Sequence, residues 1–432
     1  MIPHCCVWNL TNARFQYGKW HGHLDVPNCV LARGRPHHIT MREAFSGLGL
    51  NQKPIGWPHA VAVGLTILFI AYIAYATARN YFDPEGVDFV SFWAAGRLAL
   101  DGAPADAYDI ARHHAVEVTS GGPVGLLPFP YPPPFLFFVT PFALAPFWVA
   151  FGLWVIGSAA LFLIALKPLV RPPWALLHPA AHVNVLIGQN GLLTAGILVA
   201  GVGLLRSTPF LGGAILGLLV IKPQLAVLLP FALLAGREWR AIGGAAMSVV
   251  TLLAAALLVF GLAAYQGFFA ILPEYAGFMR QNAWPWGELA SVFAFARALG
   301  IAPTLAMTAQ IVIAAGALVV TCLVWARRGE NRLAVLASAT LLMPPYLLNY
   351  DSLLLIVPIA YLMQERSTRF AALLVWLSCL PAIFTYLEMY RGPNTVTLGA
   401  IVALCICARD RRTPSAARDA TVSRGAQPAA AV

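Results

Sequence analysis

The chain has 432 residues, 59% of them hydrophobic and only 11% charged, and 28 Lys and Arg against 18 Asp and Glu give a formal net charge of +10. An average soluble domain is about half apolar and about a quarter charged, so these figures exclude an ordinary water-soluble enzyme, and they exclude disorder over most of the length. A mean hydropathy of +0.72, carried by continuous and not alternating apolar runs, points to an all-α polytopic membrane protein and away from an outer-membrane barrel.

Residues 1–53 stand apart. They hold Cys5, Cys6, Cys29 and His4, His21, His23, His37 and His38, but the spacing fits no common zinc site and no signal-peptide core is present. They read as a disordered leader, or as an extension upstream of a true start at Met41. The membrane domain is expected over 54–410, and the Ala-, Arg-, Ser- and Pro-rich stretch 411–432 reads as a disordered cytoplasmic tail.

The first span is expected at 57–78. The loop that follows, 79–130, carries seven acids (Asp83, Glu85, Asp88, Asp101, Asp106, Asp109 and Glu117) against three bases (Arg79, Arg97 and Arg112), a net −4. Cytoplasmic loops collect Lys and Arg, so this loop belongs outside. Basic residues at 167/171, 206, 237/240, 327/328/332, 366/369 and 409/411/412 then lie inside, and both termini are cytoplasmic. The +10 is thus a topology signal and not a surface for nucleic acid.

About twelve transmembrane helices follow from that placement, at 57–78, 131–166, 174–187, 191–205, 209–221, 223–236, 241–262, 303–325, 333–347, 351–364, 369–387 and 395–409. The span 131–166 is long, and Pro141 and Pro146 should kink it. Several others are short for a bilayer core of about 30 Å. The short ones meet at polar junctions: Gly188-Gln189-Asn190, Lys222-Pro223-Gln224 and Asn349-Tyr350-Asp351. Polar groups at membrane depth are tolerated only where they line protein or a water-filled cavity. The sequence therefore predicts an outward-facing polar cavity at these junctions. The second outer loop, 263–302, is expected to hold an interfacial helix or lid. Cys322, Cys379, Cys405 and Cys407 sit in or beside apolar helices as small hydrophobes, and the spacing of the last pair is not a redox motif.

Asp88 opens an amphipathic stretch, 88–100, expected to be a helix on the outer surface. Its carboxylate either caps that helix or acts as a general base toward an acceptor hydroxyl. Arg97, two and a half turns on, either binds an anion or pairs with a nearby acid. Lys222 is a cation between two apolar runs, so it either marks a functional site, with a lipid phosphate as its natural partner, or snorkels to the interface. Asp351 either caps a helix or belongs to a site in which Asn349 and Tyr350 meet sugar hydroxyls. Gln189 and Asn190 line that site or bond neighbouring helices. The Pro-rich segment 128–135 reads as an entry loop into the membrane. No phosphate-binding loop and no metallopeptidase motif occur, so no nucleotide partner is expected. No ligand cluster requires a metal, although the acidic loop leaves room for a divalent cation.

Five segments, DFVSFWAAGRLALDGAPADAYD (88–109), FPYPPPFLFFVTPFALAP (129–146), IGQNGLLTAGILVAG (187–201), KPQLAVLLPFALLAGREWRA (222–241) and PPYLLNYDSLLLIVPIAYL (344–362), resemble the successive motifs of glycosyltransferase family 87. That family comprises polytopic GT-C-class enzymes similar to bacterial polyprenyl-phosphate-mannose-dependent mannosyltransferases. The resemblance implies a GT-C-type fold whose first extracytoplasmic loop bears the amphipathic helix, with Asp88 at the position of the base. It implies transfer of a hexose, mannose being the one expected, from a polyprenyl-phosphate sugar to a lipid or glycan acceptor at the outer face of a bacterial inner membrane. Lys222, Gln224 and Arg97 are then expected at the donor phosphate, and Gln189, Asn190, Asn349, Tyr350 and Asp351 in the sugar and acceptor pocket. A rival from another class is a transporter or flippase for a polyprenyl-linked sugar, for which inverted internal repeats would be expected. A third reading, a sensor or scaffold, predicts no dependence on Asp88.

Overall fold

The computed structural model describes residues 87–121, 125–280, 286–386, 390 and 392–409, together with Ala71. The leader, the span expected at 57–78 and the tail 411–432 lie outside the described residues. Among the described residues the chain is mostly helical, and its β structure amounts to an isolated bridge between Leu289 and Leu348.

Four helices here are long and apolar enough to cross a membrane: Phe147–Leu166, Trp239–Gly277, Pro303–Ala326 and Arg366–Tyr386. Their outer faces carry large apolar side chains that no protein covers, such as Ile156 (69% exposed), Leu258 (85%) and Ile311 (61%). An apolar belt of that kind is stable only against another apolar phase, and lipid supplies it.

Between these long helices the chain is broken into short ones, and the breaks have local causes. The amphipathic stretch forms α1, Phe89–Leu100, buried on most of its length. It is followed by a 3₁₀ turn at Pro104–Tyr108 and by α2, Ile110–Glu117. The expected span 131–166 is not one helix. Residues 133–144 are short helical turns, and α3 begins only at Phe147 and runs to Leu166. Pro141 and Pro146 remove two backbone donors and crowd the preceding turn, so the helix starts where the second proline permits.

Helix α4, Pro179–Ile187, stops at Gly188, whose φ of +68° is left-handed. A side chain there would also meet the Phe89 and Phe151 side chains, so only glycine fits. Helix α5, Gly191–Leu204, then starts afresh. Helix α6, Pro209–Gly217, continues as a 3₁₀ turn through Ile221 to Lys222, where Pro223 restarts the chain. Helix α7 extends from Trp239 to Arg280, well beyond the span expected at 241–262, and breaks its helical path at Gly261. Its second half enters the stretch 263–302, where an interfacial helix or lid is expected. Gly213 and Gly244 let α6 and α7 touch backbone to backbone, since a Cβ on either would collide with the carbonyl of Ala241 or Phe210. Small residues commonly mediate such close approaches between membrane helices.

Candidate active site

The three polar junctions come together, and α1 closes over them. Asp88 lies immediately before α1, but its side chain makes no capping hydrogen bond there. Its Oδ2 instead accepts from Gln189 Nε2 at 2.8 Å, 101 positions along the chain. The half-turn 188–190 is therefore tied to the start of α1 by a polar contact and not by packing alone. Gln189 Oε1 accepts in turn from the Asn190 N–H at 3.2 Å and from the Tyr131 hydroxyl at 3.5 Å.

Asn190 continues the line. Its Oδ1 accepts from Lys222 Nζ at 2.9 Å, and the same ammonium donates to Asp351 Oδ1 at 2.6 Å. Lys222 is only 1% exposed and Asp351 2%, so Lys222 does not snorkel to an interface. Its ammonium also lies 4.6 Å from the centroid of the Tyr350 ring, a cation–π contact. Asp88, Gln189, Asn190, Lys222 and Asp351 thus form one hydrogen-bonded line through all three junctions.

The two ends of that line differ. At the Asp88 end, a cavity of about 50 Å³ is walled by Asp88, Ser91, Tyr131, Gln189, Tyr275 and Tyr350. Burial of the Asp88 carboxyl against these rings raises its pKa to about 6, and the Gln189 hydrogen bond offsets only part of that rise. At the Lys222 end, opposite charges neutralise one another inside protein.

Three of the other residues singled out from the sequence lie outside the line. Arg97 is about 13 Å along α1 from Asp88 at helical rise, and it pairs at 3.5 Å with Asp101 and donates to the Ala143 carbonyl. Its proximity to Asp101 and not to the cavity follows from the i,i+4 spacing. Gln224 is half-buried and takes no part in the network. Asn349 is fully buried, but its Nδ2 donates to the Ala382 carbonyl at 3.4 Å, so it ties two helices together and does not face the cavity.

Several residues that shape the site were not singled out by the sequence. Asn184 bridges the break at 188–191. Its Oδ1 accepts from the Gly191 N–H at 2.7 Å while its Nδ2 donates to the Tyr350 carbonyl at 3.0 Å. Trp154 on α3 donates from Nε1 to the Gly188 carbonyl at 2.9 Å. Tyr131, in the Pro-rich segment, and Tyr275, on the second half of α7, line the cavity. Polar residues inside apolar helices are the one signal that could have found Asn184.

The family model for glycosyltransferase family 87 matches residues 129–358, more than half of the chain. The chain belongs to glycosyltransferase family 87. The matched stretch contains Tyr131, Gln189, Asn190, Lys222, Tyr350 and Asp351, and it begins after Asp88. Neither a curated protein nor a solved structure matches the chain. Family membership makes the protein a membrane glycosyltransferase, with a sugar donor and an acceptor as its partners, and the cavity beside Asp88 is the candidate place for their encounter.

Proposed function

We propose that this glycosyltransferase moves a hexose, mannose being the expected one, from a polyprenyl-phosphate sugar to a lipid or glycan acceptor on the extracytoplasmic side, with Asp88 as general base and with a GT-C-type fold. The observation that carries the reading is the Asp88 carboxyl, which makes no capping hydrogen bond and, among the described residues, is held by the Gln189 amide at the wall of a tyrosine-lined cavity. A pKa near 6 suits a base at neutral pH, because the carboxylate is ionised yet retains appreciable basicity.

In a single displacement the acceptor oxygen attacks the anomeric carbon as its proton passes to Asp88. The bond from that carbon to the donor phosphate oxygen breaks, and polyprenyl phosphate leaves with the electron pair. Gln189 keeps the base aimed, and Tyr131 and Tyr350 supply ring faces and hydroxyls to the sugar.

The leaving phosphate needs a cation, and Lys222 is the one in the line. Its ammonium is already neutralised by Asp351, so in this reading it serves the phosphate only by exchanging partners, and Asn190 and Tyr350 hold it within reach. Arg97 and Gln224 lie outside the network and carry no phosphate role in this mechanism. The prenyl chain has a matching surface. An apolar groove of about 450 Å³, walled by Leu216, Val220, Pro223, Leu229 and Leu233, begins one residue beyond Lys222.

The test is transfer from labelled polyprenyl-phosphate mannose to a membrane acceptor extract, with wild type compared to Asp88→Asn. Loss of transfer in the variant supports the reading, and transfer undiminished in the variant overturns the base. Movement of the lipid across the bilayer without transfer would favour a flippase. Reporter fusions at 120 and 330 test the sidedness: the first is expected outside and the second inside.

A further inference from the structure

Behind the cavity lies a second cluster of titratable groups that the proposed displacement leaves unused. Ser91, one turn after Asp88 on α1, lines the same cavity. Its Oγ lies 3.3 Å from His113 Nε2. That same nitrogen is 3.4 Å from Glu117 Oε1, and the other carboxylate oxygen, Oε2, is 2.9 Å from His114 Nδ1. The series passes from inside to outside: Ser91 is 4% exposed, His113 1% and Glu117 0%, whereas the His114 side chain is 35% exposed.

Burial of a complete histidine–carboxylate pair is costly unless every polar atom is served. Among the described residues, His113 Nδ1 has no hydrogen-bond partner, and Glu117 Oε1 has only the 3.4 Å approach of His113 Nε2, too poor in angle to be a hydrogen bond. A pair kept only to brace the loop would gain by satisfying those atoms. One neighbour competes for the Ser91 proton: the Pro128 carbonyl lies 3.4 Å from Ser91 Oγ, so the hydroxyl leaves that acceptor when it donates to His113. The others do not compete. Glu117 Oε2 also accepts from the Leu127 N–H at 3.4 Å. The Phe129 ring packs beside His113, the Tyr108 hydroxyl is committed to the Tyr131 carbonyl, and Asp106 is held by Arg112.

We propose that Ser91, His113, Glu117 and His114 form a proton exit path from the cavity to the protein surface, which returns Asp88 to its ionised form after each transfer. This rests on the reading of Asp88 as base. Each turnover leaves one proton on Asp88, because the acceptor O–H bond breaks while polyprenyl phosphate departs. That proton crosses the cavity that Asp88 and Ser91 both line to Ser91 Oγ, as the Ser91 hydroxyl passes its own proton to His113 Nε2. A small rocking of the ring then turns that N–H from Ser91 toward Glu117 Oε1, 3.4 Å away, which takes the proton. A half-turn of the carboxyl carries it to His114 Nδ1, and the exposed imidazole releases it to water. His113 and Glu117 touch no substrate in this scheme; they act through Ser91 and are relay residues.

The experiment is multiple-turnover transfer from labelled polyprenyl-phosphate mannose to a membrane acceptor extract by the full-length protein. Wild type, Asp88→Asn, His113→Gln, Glu117→Gln and His114→Gln are measured across pH, with and without added imidazole. The path predicts a fall in kcat of about tenfold, a fraction of a full acid–base contribution, in His113→Gln and Glu117→Gln. KM should hold, and imidazole should restore the rate as a mobile proton carrier. His114→Gln, a substitution at a partly exposed residue that cannot unfold the core, should show a smaller fall with the same rescue. Wild-type rates and pH profiles in all three histidine and glutamate variants, with Asp88→Asn inactive, would overturn the path and leave Asp88 as base. Losses that imidazole does not restore would also overturn it, since a bracing role moves KM and stability and not proton release. Undiminished transfer by Asp88→Asn would remove the base itself, and the path with it.

Discussion

Asp88 and Asp351 sit at opposite ends of one hydrogen-bonded line, and they are held in opposite ways. Asp351 is bound at 2.6 Å by the ammonium of Lys222, with both partners almost completely buried. Asp88 accepts a hydrogen bond from the neutral amide of Gln189 and faces a cavity. A carboxylate clamped by a buried ammonium has its oxygen committed to that partner. One held by an amide at a cavity wall can exchange a proton with whatever enters. The same residue type therefore serves as a strut at one end of the line and as a candidate base at the other.

The largest expected effect tests the clamp. Lys222→Met leaves Asp351 buried without its cation and should cost about 3–5 kcal/mol of stability, read as a lowered midpoint of thermal unfolding in detergent. The double variant Lys222→Met/Asp351→Leu removes both charges and should recover most of that loss. If the single and double variants unfold together, the pair is not the closed strut described.

Asp88→Asn should lower transfer by about two to four orders of magnitude while leaving the protein folded. It should also stabilise the fold at neutral pH. The folded-state pKa of Asp88 is raised from 3.8 to about 6. Ionisation therefore disfavours the fold, the loss accumulates between those two values as pH rises, and it is complete above about 6. The asparagine variant escapes that loss, so its unfolding midpoint should exceed that of wild type above pH about 6 and approach it at lower pH. An equal penalty at all pH values would mean that the carboxylate is structurally required.

Gly188→Ala should cost about 1–3 kcal/mol, because the left-handed backbone there is strained for any side chain and a Cβ would press on Phe89 and Phe151. Transfer should fall with it, since Gln189 is carried by that turn. The smallest effect belongs to Trp154→Phe, which deletes the bond to the Gly188 carbonyl and should cost about 1 kcal/mol with transfer retained. A large loss of transfer without loss of stability in Trp154→Phe would mean that the indole does more than hold the turn.

Much of this arrangement was legible in the sequence, and the exceptions share a cause. The junctions at 188–190, 222–224 and 349–351 announce themselves because polar residues interrupt apolar runs, and such residues must find one another at membrane depth. Asp88 was legible as the residue before an amphipathic helix, but the pattern could not distinguish a cap from a base. Only the direction of the side chain, toward Gln189 and away from the helix N–H groups, separates the two. The pairing of Lys222 with Asp351 spans 129 positions, and nothing in a linear pattern reports such a contact. The charge of Arg97 suits either an anion or a nearby acid, and its local geometry pairs it with Asp101. Span lengths failed where proline and glycine act. Pro146 moved the start of α3 to Phe147, and α7 runs on past Gly261 as a bent helix, beyond the span expected at 241–262. Hydropathy reads how apolar a stretch is, and it does not read where a backbone must break.

The most direct test of the account is the pH dependence of single-turnover transfer by wild type with labelled polyprenyl-phosphate mannose. If Asp88 is the base, the rate falls as pH drops through about 6, one proton deep, and Gln189→Leu, which removes the donor that favours the ionised form, moves that limb upward. A rate that stays flat through that value, or a limb that Gln189→Leu leaves in place, would contradict Asp88 as the group that takes the acceptor's proton.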